Sequence, residues 1–407
     1  MNFEILNVSE KAAYDHSIYY GERHTHLPYS NSSFNYDDEI RIPIEHQDLY
    51  TFPHLSTLHI EGKVIVKNEI DEIVQKPEIK FVNNGVLLMF NQIRYEIAGV
   101  VVDSIRNPGL ASTMKGYVTY NSNESVALEN AGWFPKKDSN IIKENGTFEV
   151  SIPLKMIFGF CEDFKKTILN VRQELVLVRS NTDVNALISS NDKYKIKVEL
   201  SKICWKMHHL SVSDAERIAL IDIVRSNREL DIMFRSKELH EFAPPVQSIT
   251  NTWTIKTSLE KPQYILFALQ QGRKNQLKKN YSQFDHCNLR DVKLYLNDTM
   301  YPYDNLNVDF TNNRYAILYD MFKEFQTSFL SKQTSEPLFD KDEFKEKTPI
   351  IVIDCSKQTE ALKRGPVTIT LWFETISGIP ADTTAYCLIL HDRMVKYIPA
   401  QDVVRVL

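Results

Sequence analysis

The sequence predicts an all-β protein with a few helices, arranged as two β-sandwich or barrel units of similar size. Three observations predict this architecture. Apolar and polar residues alternate at the period of a β-strand along many short segments that loops separate. The length of 407 residues exceeds that of one ordinary domain. Helix-type periodicity is confined to two segments of the second half.

The composition is that of a soluble globular protein, with 43% hydrophobic and 25% charged residues. The net charge of -5 disfavours a nucleic-acid coat built on electrostatics, although it leaves room for a local basic patch. The five cysteines are widely spaced and indicate buried free thiols in a reducing compartment. The start of the chain lacks a secretory signal pattern, and no apolar run is long enough to span a membrane, so we expect neither feature.

The first half begins with a polar segment, residues 1–40, which we predict to be an extended N-terminal arm. Strands follow, and the clearest are amphipathic, with apolar side chains on one face and charged ones on the other. The region 121–146 is predicted as a long loop that contains Trp133. The predicted strands are 41–44, 57–66, one bent or two separate strands within 86–105, 114–120, 148–154, 175–178 and 194–203.

The second half opens with a helix signal, because Ser213 and Glu216 have the spacing of a capping box. An apolar stripe of Ile218, Ile221 and Val224 follows it. A second helix is predicted after Asn313, where the aromatic and apolar residues Tyr315, Leu318, Tyr319, Phe322, Phe325 and Phe329 share one helical face. The predicted strands are 230–234, 252–257, 264–269, 292–297, 350–354, 367–373, 385–391 and 402–406.

The domain organisation follows from the similar strand density of the two halves. We predict an N-terminal arm at 1–40, a first unit at 41–208 and a second unit at 209–407. No internal repeat can be aligned, so any duplication would be visible in the architecture only.

Histidine pairs are the candidate metal ligands. His24 and His26 would lie on one side of a strand, but no third ligand is near them in the sequence. His208 and His209 alternate across a strand and cannot share a face. We therefore predict no metal site and no bound cofactor.

Asp285, His286 and Cys287 have the residue types of a thiol nucleophile with its base. Adjacent residues on an extended chain diverge, however, so we predict a buried turn here. His391 and Asp392 are predicted to end a strand and begin a turn. The motifs of phosphate loops, dinucleotide folds, nucleophile elbows and zinc proteases are absent from the sequence. No catalytic residue is therefore predicted.

The densest basic cluster comprises Arg273, Lys274, Lys278 and Lys279, and aromatic residues follow it at Tyr281 and Phe284. Basic groups beside aromatic rings suit a weak contact with a nucleic-acid backbone and base. A solvated loop between two strands is the alternative.

Several segments carry a family resemblance. They are YILFALQQGRKN, FDHCNLRDVKLYLN, YPYDNL, YAILYDMF and TAYCLILHD in the second half, with HLPYSNSSFNYDDEIRIPI and QDLYTFPHLSTLHIEG near the start. Together they resemble the double jelly-roll capsid-like proteins of virus-derived elements in animal genomes, of the Polinton/Maverick and adintovirus type. The resemblance touches both ends and most of the second half, whereas residues 106–190 add little. None of these segments is a catalytic signature.

The resemblance implies a double jelly roll, which is two eight-stranded β-sandwiches in one chain. It implies a structural protein rather than an enzyme, namely a major capsid protein of a DNA virus or a host-retained copy of one. Such proteins form pseudo-hexagonal homotrimers that tile an icosahedral shell, alongside a penton or minor capsid protein. The expected location is the virion capsid, after synthesis in the host cytoplasm or nucleus. Contacts between copies are expected in loops, with 106–146, 157–172 and 270–290 as the best candidates.

Two other functions stay open from the sequence. One is a double β-sandwich that binds or hydrolyses glycans, with paired carboxylates in a cleft. The missing secretory signal argues against a secreted hydrolase. The other is a host β-sandwich adaptor that binds a partner and does not assemble.

Overall fold

The computed structural model of the chain describes residues 17–29, 34–45, 50–169, 171–257, 259, 261–358 and 367–407. Its first half contains two four-stranded antiparallel sheets, with strand orders β1-β10-β3-β7 and β2-β8-β5-β6, and a small sheet of β4 and β9. The strands are β1 (Ile18–His26), β2 (Glu39–Ile44), β3 (Tyr50–Lys67), β4 (Ile79–Phe81), β5 (Phe90–Ile97), β6 (Val100–Arg106), β7 (Thr147–Pro153), β8 (Gln173–Arg179), β9 (Leu187–Ser189) and β10 (Lys195–Val212).

The second half contains two further antiparallel sheets, with orders β11-β18-β13-β16 and β12-β17-β14-β15, and β19 adds to β18. The strands are β11 (Leu230–Phe242), β12 (Thr250–Ile255), β13 (Pro262–Gln271), β14 (Leu289–Leu296), β15 (Thr299–Tyr301), β16 (Ile351–Asp354), β17 (Ile369–Thr375), β18 (Thr383–Ile398) and β19 (Val403–Val406). We call the sandwich built from β1–β10 the first roll and the one built from β11–β19 the second roll.

Both rolls have the same strand order once the small β4–β9 sheet and β19 are set aside. β1, β10, β3 and β7 correspond in order to β11, β18, β13 and β16, and β2, β8, β5 and β6 correspond to β12, β17, β14 and β15. The two sheets of each roll pack face to face. Tyr95 meets Trp205 with ring centroids 5.4 Å apart, and Phe267 meets Phe373 at 5.1 Å. The two rolls therefore share one strand order, although no repeat is visible in the sequence.

The helices are α1 (Gly85–Leu88), α2 (Pro108–Thr119), α3 (Ser122–Ala127), α4 (Leu154–Ile157), α5 (Gly159–Asp163), α6 (Asp214–Arg225), α7 (Ala316–Ser328) and α8 (Lys341–Lys347). α2 is the helix between the rolls, because it packs against α1, α4, β5 and β6 of the first roll and against α7 and β11 of the second. The buried apolar residues of both rolls form one continuous cluster. No helix among the described residues is long and apolar enough to cross a membrane.

Most predicted elements are confirmed. The alternation at 57–66 and 194–203 corresponds to the paired strands β3 and β10. The run at 264–269 is buried at every position, as a strand covered on both faces must be. Ser213 caps α6 by accepting a hydrogen bond from the Glu216 amide at 3.3 Å. The helix predicted from the 315–329 stripe is α7, whose buried residues include Leu318, Phe322 and Phe325.

Other predictions are wrong. The strand predicted at 114–120 falls in α2, which runs to Thr119. The loop predicted at 121–146 contains α3 and a 3-10 turn at Glu129–Ala131. His391 and Asp392 lie inside β18 rather than at a turn. Alternation also fails in β14, where Lys293 is buried and its ammonium donates to the Pro302 and Tyr303 carbonyls at 3.1 and 3.2 Å.

The predicted domain boundaries at residues 40 and 208 stay predictions. β1 lies within the predicted N-terminal arm and pairs with β10, which itself extends to Val212.

Candidate functional site

The place where the two rolls meet is the most elaborate polar site among the described residues. Its closest approach is between α5 of the first roll and β11 of the second. A Cβ added to Gly159 would lie 1.7 Å from the carbonyl oxygen of Arg235. Any larger residue at Gly159 would therefore push the two rolls apart.

Arg235 uses all three guanidinium nitrogens, two toward the first roll and one toward the end of α7 in its own roll. Its Nε and Nη2 donate to the two carboxylate oxygens of Asp163 at 2.9 and 2.7 Å, and its Nη1 donates to the Phe329 carbonyl at 2.7 Å. The guanidinium also lies 3.9 Å from the centroid of the Phe329 ring. Burial acts to raise the pKa of Asp163, but the hydrogen bonds from Arg235 outweigh it and lower that pKa. The pair is therefore held in its charged form.

Asp103 and Lys237 are the deeply buried ionisable groups beside this pair. The Asp103 carboxylate accepts from the Ser236 hydroxyl at 2.6 Å and from the Phe160 amide at 3.1 Å, and burial raises its pKa. The Lys237 ammonium donates to the Met156 carbonyl at 2.8 Å, and burial lowers its pKa to about 7. The bonds to Ser236 and Met156 cross from one roll to the other. The bond to Phe160 holds α5, which packs on β11, against β6 of the first roll. The arrangement fixes the relative position of the rolls.

A second contact between the rolls is made by the loop after β13. The Asn275 amide donates to the Asn185 side chain at 2.6 Å, the Ser189 amide donates to the Leu277 carbonyl at 3.0 Å, and the buried Tyr117 hydroxyl donates to the Ser282 carbonyl at 2.9 Å. This loop is part of the 270–290 segment predicted to contact other copies. Within the chain, it contacts the first roll.

The four basic residues predicted as a nucleic-acid contact lie in this loop, and each has a partner in the chain. Arg273 forms two hydrogen bonds with Asp285 at 2.8 and 2.7 Å. Lys274 pairs with Glu241 at 3.0 Å, Lys278 pairs with Asp192 at 2.9 Å, and Lys279 donates to the Gln271 carbonyl at 3.2 Å. The nucleic-acid contact stays a prediction.

The Asp285, His286 and Cys287 segment is engaged in structural contacts. His286 stacks on Phe310 with centroids 4.6 Å apart, and its Nδ1 accepts from the Asn288 amide at 3.0 Å. Burial raises the pKa of the Cys287 thiol to about 12, so this thiol is protonated at neutral pH. Its environment opposes the thiolate that a nucleophile would need.

Three of the histidines named from the sequence meet at one end of the first roll. The His26 and His209 Nε2 atoms are 3.1 Å apart, and the His24 ring stacks on His209 with centroids 4.3 Å apart. Burial, together with neighbouring imidazoles, lowers the pKa of His26 and of His209 to about 4, so both rings are neutral at pH 7. His209 is thus the third imidazole that the sequence alone did not place near His24 and His26.

Another group with metal-ligand atoms lies on the outer face of β3 and β7. The donor atoms of His59, Glu61 and Glu149 lie within 4.8 Å of one another. His59 Nε2 is 2.9 Å from Glu61, which also accepts from the Lys202 ammonium at 3.1 Å. The sequence gives no signal for this group, because its members are ordinary alternating residues of two strands that pair in the fold.

The sequence model of the double jelly roll-like domain family matches residues 79–395. The chain belongs to this family. The predicted double jelly roll of all-β class, with a few helices, is thereby confirmed. No curated protein matches the sequence.

Solved structures of viral proteins match over nearly the whole chain. The mavirus major capsid protein is 11% identical, with a TM-score of 0.59 over 98% of this chain and 93% of that chain. The Faustovirus major capsid protein is 9% identical, with a TM-score of 0.59 over 95% and 92% of the two chains. A chain of the Sputnik virophage is 9% identical, with a TM-score of 0.61 over 99% and 91%. At these identities the similarity is one of fold.

Proposed function

We propose that this double jelly-roll protein is a structural protein of a viral shell, namely a major capsid protein or a host-retained copy. The observation that carries the proposal is the match, over nearly the full length of both chains, to the major capsid proteins of mavirus and Faustovirus. The similarity includes both rolls rather than one shared sandwich. A single roll would fit many unrelated functions.

The junction between the rolls supports a mechanical role. Gly159, Arg235 and Lys237 fix the second roll against the first through a close backbone approach and hydrogen bonds. A tile in a closed shell needs such internal rigidity, because errors in its shape would accumulate over many copies. Weak contacts between tiles then become strong collectively.

An exposed apolar surface supports assembly with further copies of the chain. On α6, Ile218 is 61% exposed and Ile221 is 37% exposed, and both belong to the apolar stripe noted in the sequence. The neighbouring start of β1 exposes 70% of Tyr19. The two elements are adjacent because the Ser213 amide donates to the Ser17 carbonyl at 2.9 Å. Exposed apolar patches of this kind mark contact surfaces between proteins.

We therefore propose a homotrimer of pseudo-hexagonal outline, which tiles an icosahedral capsid beside a separate penton or minor capsid protein. Light scattering coupled to size-exclusion chromatography tests this assembly. The expected mass is three times that of the 47.3 kDa chain, and electron microscopy of the same fraction is expected to show six-cornered particles.

The substitution Ile218→Asp sharpens this test. It is expected to shift the mass toward that of the monomer while circular dichroism stays unchanged. Ile70→Asp is the matched control, because Ile70 is 73% exposed on a loop of the first roll. A wild-type chain that is strictly monomeric at all concentrations would contradict the capsid proposal and favour the adaptor function.

A further inference from the structure

The imidazoles of His24, His26 and His209 form a cluster that the assembly role does not use. β1 supplies two of them and the adjacent β10 supplies the third, in a register that pairs His24 with Met207 and His26 with Trp205. His209 is fully buried, whereas His24 and His26 are half-buried above it. The cluster therefore opens to solvent on one side, which gives an ion a route of entry.

The geometry of this cluster is that of two ligands converging on one point. The Nε2 atoms of His26 and His209 are 3.1 Å apart, and with metal–nitrogen bonds of about 2.05 Å they would subtend roughly 100° at a shared ion. That angle lies close to tetrahedral geometry. A single N–H···N hydrogen bond between the two neutral rings is the competing explanation for the same distance.

His24 supplies a third imidazole and Glu22 supplies a carboxylate behind it. The Nε2 of His24 lies 3.3 Å from the Glu22 carboxylate, and its ring is stacked on His209 at 4.3 Å. A carboxylate commonly orients a histidine ligand by accepting from the ring nitrogen that does not bind the metal, so His24 would bind the ion through Nδ1. To become a ligand, the His24 ring must turn out of the stack, so its contribution to affinity is expected to be smaller than that of His26 or His209.

We propose that His26 and His209, with His24 as the third ligand and Glu22 as its orienting carboxylate, bind a divalent transition-metal ion of the zinc type. Imidazole ligands suit Zn²⁺, Ni²⁺ and Cu²⁺ rather than Mg²⁺ or Ca²⁺. β1 lies at the edge of its sheet and is paired with β10 alone in that sheet. The bound ion would join β1 to β10 through side chains in addition to the backbone ladder.

The group of His59, Glu61 and Glu149 is the alternative site in the same sheet. There, the Lys202 ammonium already pairs with Glu61 at 3.1 Å, so an incoming cation would have to compete with a charge of the same sign. The contacts of His24, His26 and His209 with other described residues include no such ammonium. This difference favours the imidazole cluster and provides a control.

The test uses the full chain after treatment with EDTA. Equilibrium dialysis against ZnCl₂, with the metal measured by mass spectrometry, is expected to give about one ion per chain. CoCl₂ is expected to give the visible absorption bands of a tetrahedral site, and Zn²⁺ is expected to raise the Tm because it binds the folded chain. His26→Gln and His209→Gln are expected to weaken Zn²⁺ binding by at least about a hundredfold, and His24→Gln by about tenfold.

His59→Gln is the matched control and is expected to keep wild-type affinity. Circular dichroism and chain mass are measured for each variant, and the half-exposed His26 is the position least prone to disturb folding. The proposal is overturned if wild type binds no Zn²⁺ or Co²⁺ at about 10 µM, a concentration about ten times a Kd of about 1 µM. It is equally overturned if His26→Gln retains full affinity, or if His59→Gln abolishes binding.

Discussion

Helix α2 of the first roll and helix α7 of the second have nearly equal lengths, 12 and 13 residues, but they are buried in different ways. Every residue of α2 is buried, whereas α7 buries one face and leaves Ile317 45% exposed. α2 sits between the rolls, and α7 covers one side of the second roll. A helix therefore shows an apolar periodicity in the sequence only where one of its faces is exposed to solvent and the opposite face is buried.

The residue types found in α2 are explained by its burial on all sides. Gly109 and Gly116 leave room for the backbone of Leu88 and the ring of Trp133, because an added Cβ would lie 2.5 Å and 2.4 Å from them. Its one charged residue, Lys115, is buried and forms an ion pair with Glu162. The glycines that disfavour a helix by propensity are required by its packing.

The largest effect is expected on the buried face of α7. Phe322→Ala should lower the free energy of unfolding by about 3–5 kcal/mol, because Phe322 is buried and its removal leaves a cavity beside Phe344. Ile317→Ala on the exposed face should change it by less than about 0.5 kcal/mol. Urea denaturation measures both. Equal losses at the two positions would mean that α7 is enclosed like α2.

Much of the fold could be predicted from the sequence, because most strands and two helices have one solvent-exposed face and therefore an apolar periodicity. The stripe from Tyr315 to Phe329 and the alternation of β10 carry that signal directly. α2 could not be predicted in this way, since Pro108 at its start was the only helix signal and its burial is uniform. Gly116, within the segment predicted as a strand, marks the close packing against Trp133.

The junction between the rolls was not predicted, because its partners are far apart in the chain. Asp103 and Ser236 are 133 positions apart, and Asp163 and Arg235 are 72 apart. One available signal was a charged residue inside the apolar run 100–105, which indicates that Asp103 has a buried partner but not which one. The histidine cluster spans 183 positions, from His26 to His209, and only the pairing of β1 with β10 brings it together.

An intermediate effect is expected in α2. Gly116→Ala should lower the free energy of unfolding by about 1–3 kcal/mol, since the added methyl group collides with Trp133. Helix propensity alone would favour alanine by about 1 kcal/mol, so the sign of the change decides which effect dominates.

Gly21→Ala in β1 is the control for this substitution, because its added Cβ would meet the flexible side chain of Leu210 at 3.3 Å and the His208 ring at an ordinary contact distance of 3.7 Å. The Tm of each variant, measured by differential scanning fluorimetry, reports the difference. A Gly116→Ala variant more stable than wild type would show that α2 is less tightly enclosed than the structure indicates.

The third effect is a pH dependence at the junction, where β11 of the second roll packs against α5 of the first. The pKa of Lys237 falls from its ordinary value of 10.5 to about 7 on folding, because burial penalises the ammonium. Between these two pH values the unfolded chain binds one more proton than the folded chain. The contribution of Lys237 to stability therefore rises with pH in this window, by up to about 1.4 kcal/mol per pH unit.

Lys237→Met removes this titration, so the stability of wild type minus that of the variant should increase from pH 7 to pH 9. The cysteine thiols of the unfolded chain also titrate toward the upper end of this range, but they are common to both proteins and cancel in the difference. Lys80→Met is the control, because Asp138 raises the pKa of Lys80 and places its window above pH 10. The difference in the free energy of unfolding between wild type and Lys80→Met should stay constant from pH 7 to pH 9. A flat difference for Lys237→Met as well would mean that water reaches the junction and that the rolls are held less tightly than their contacts indicate.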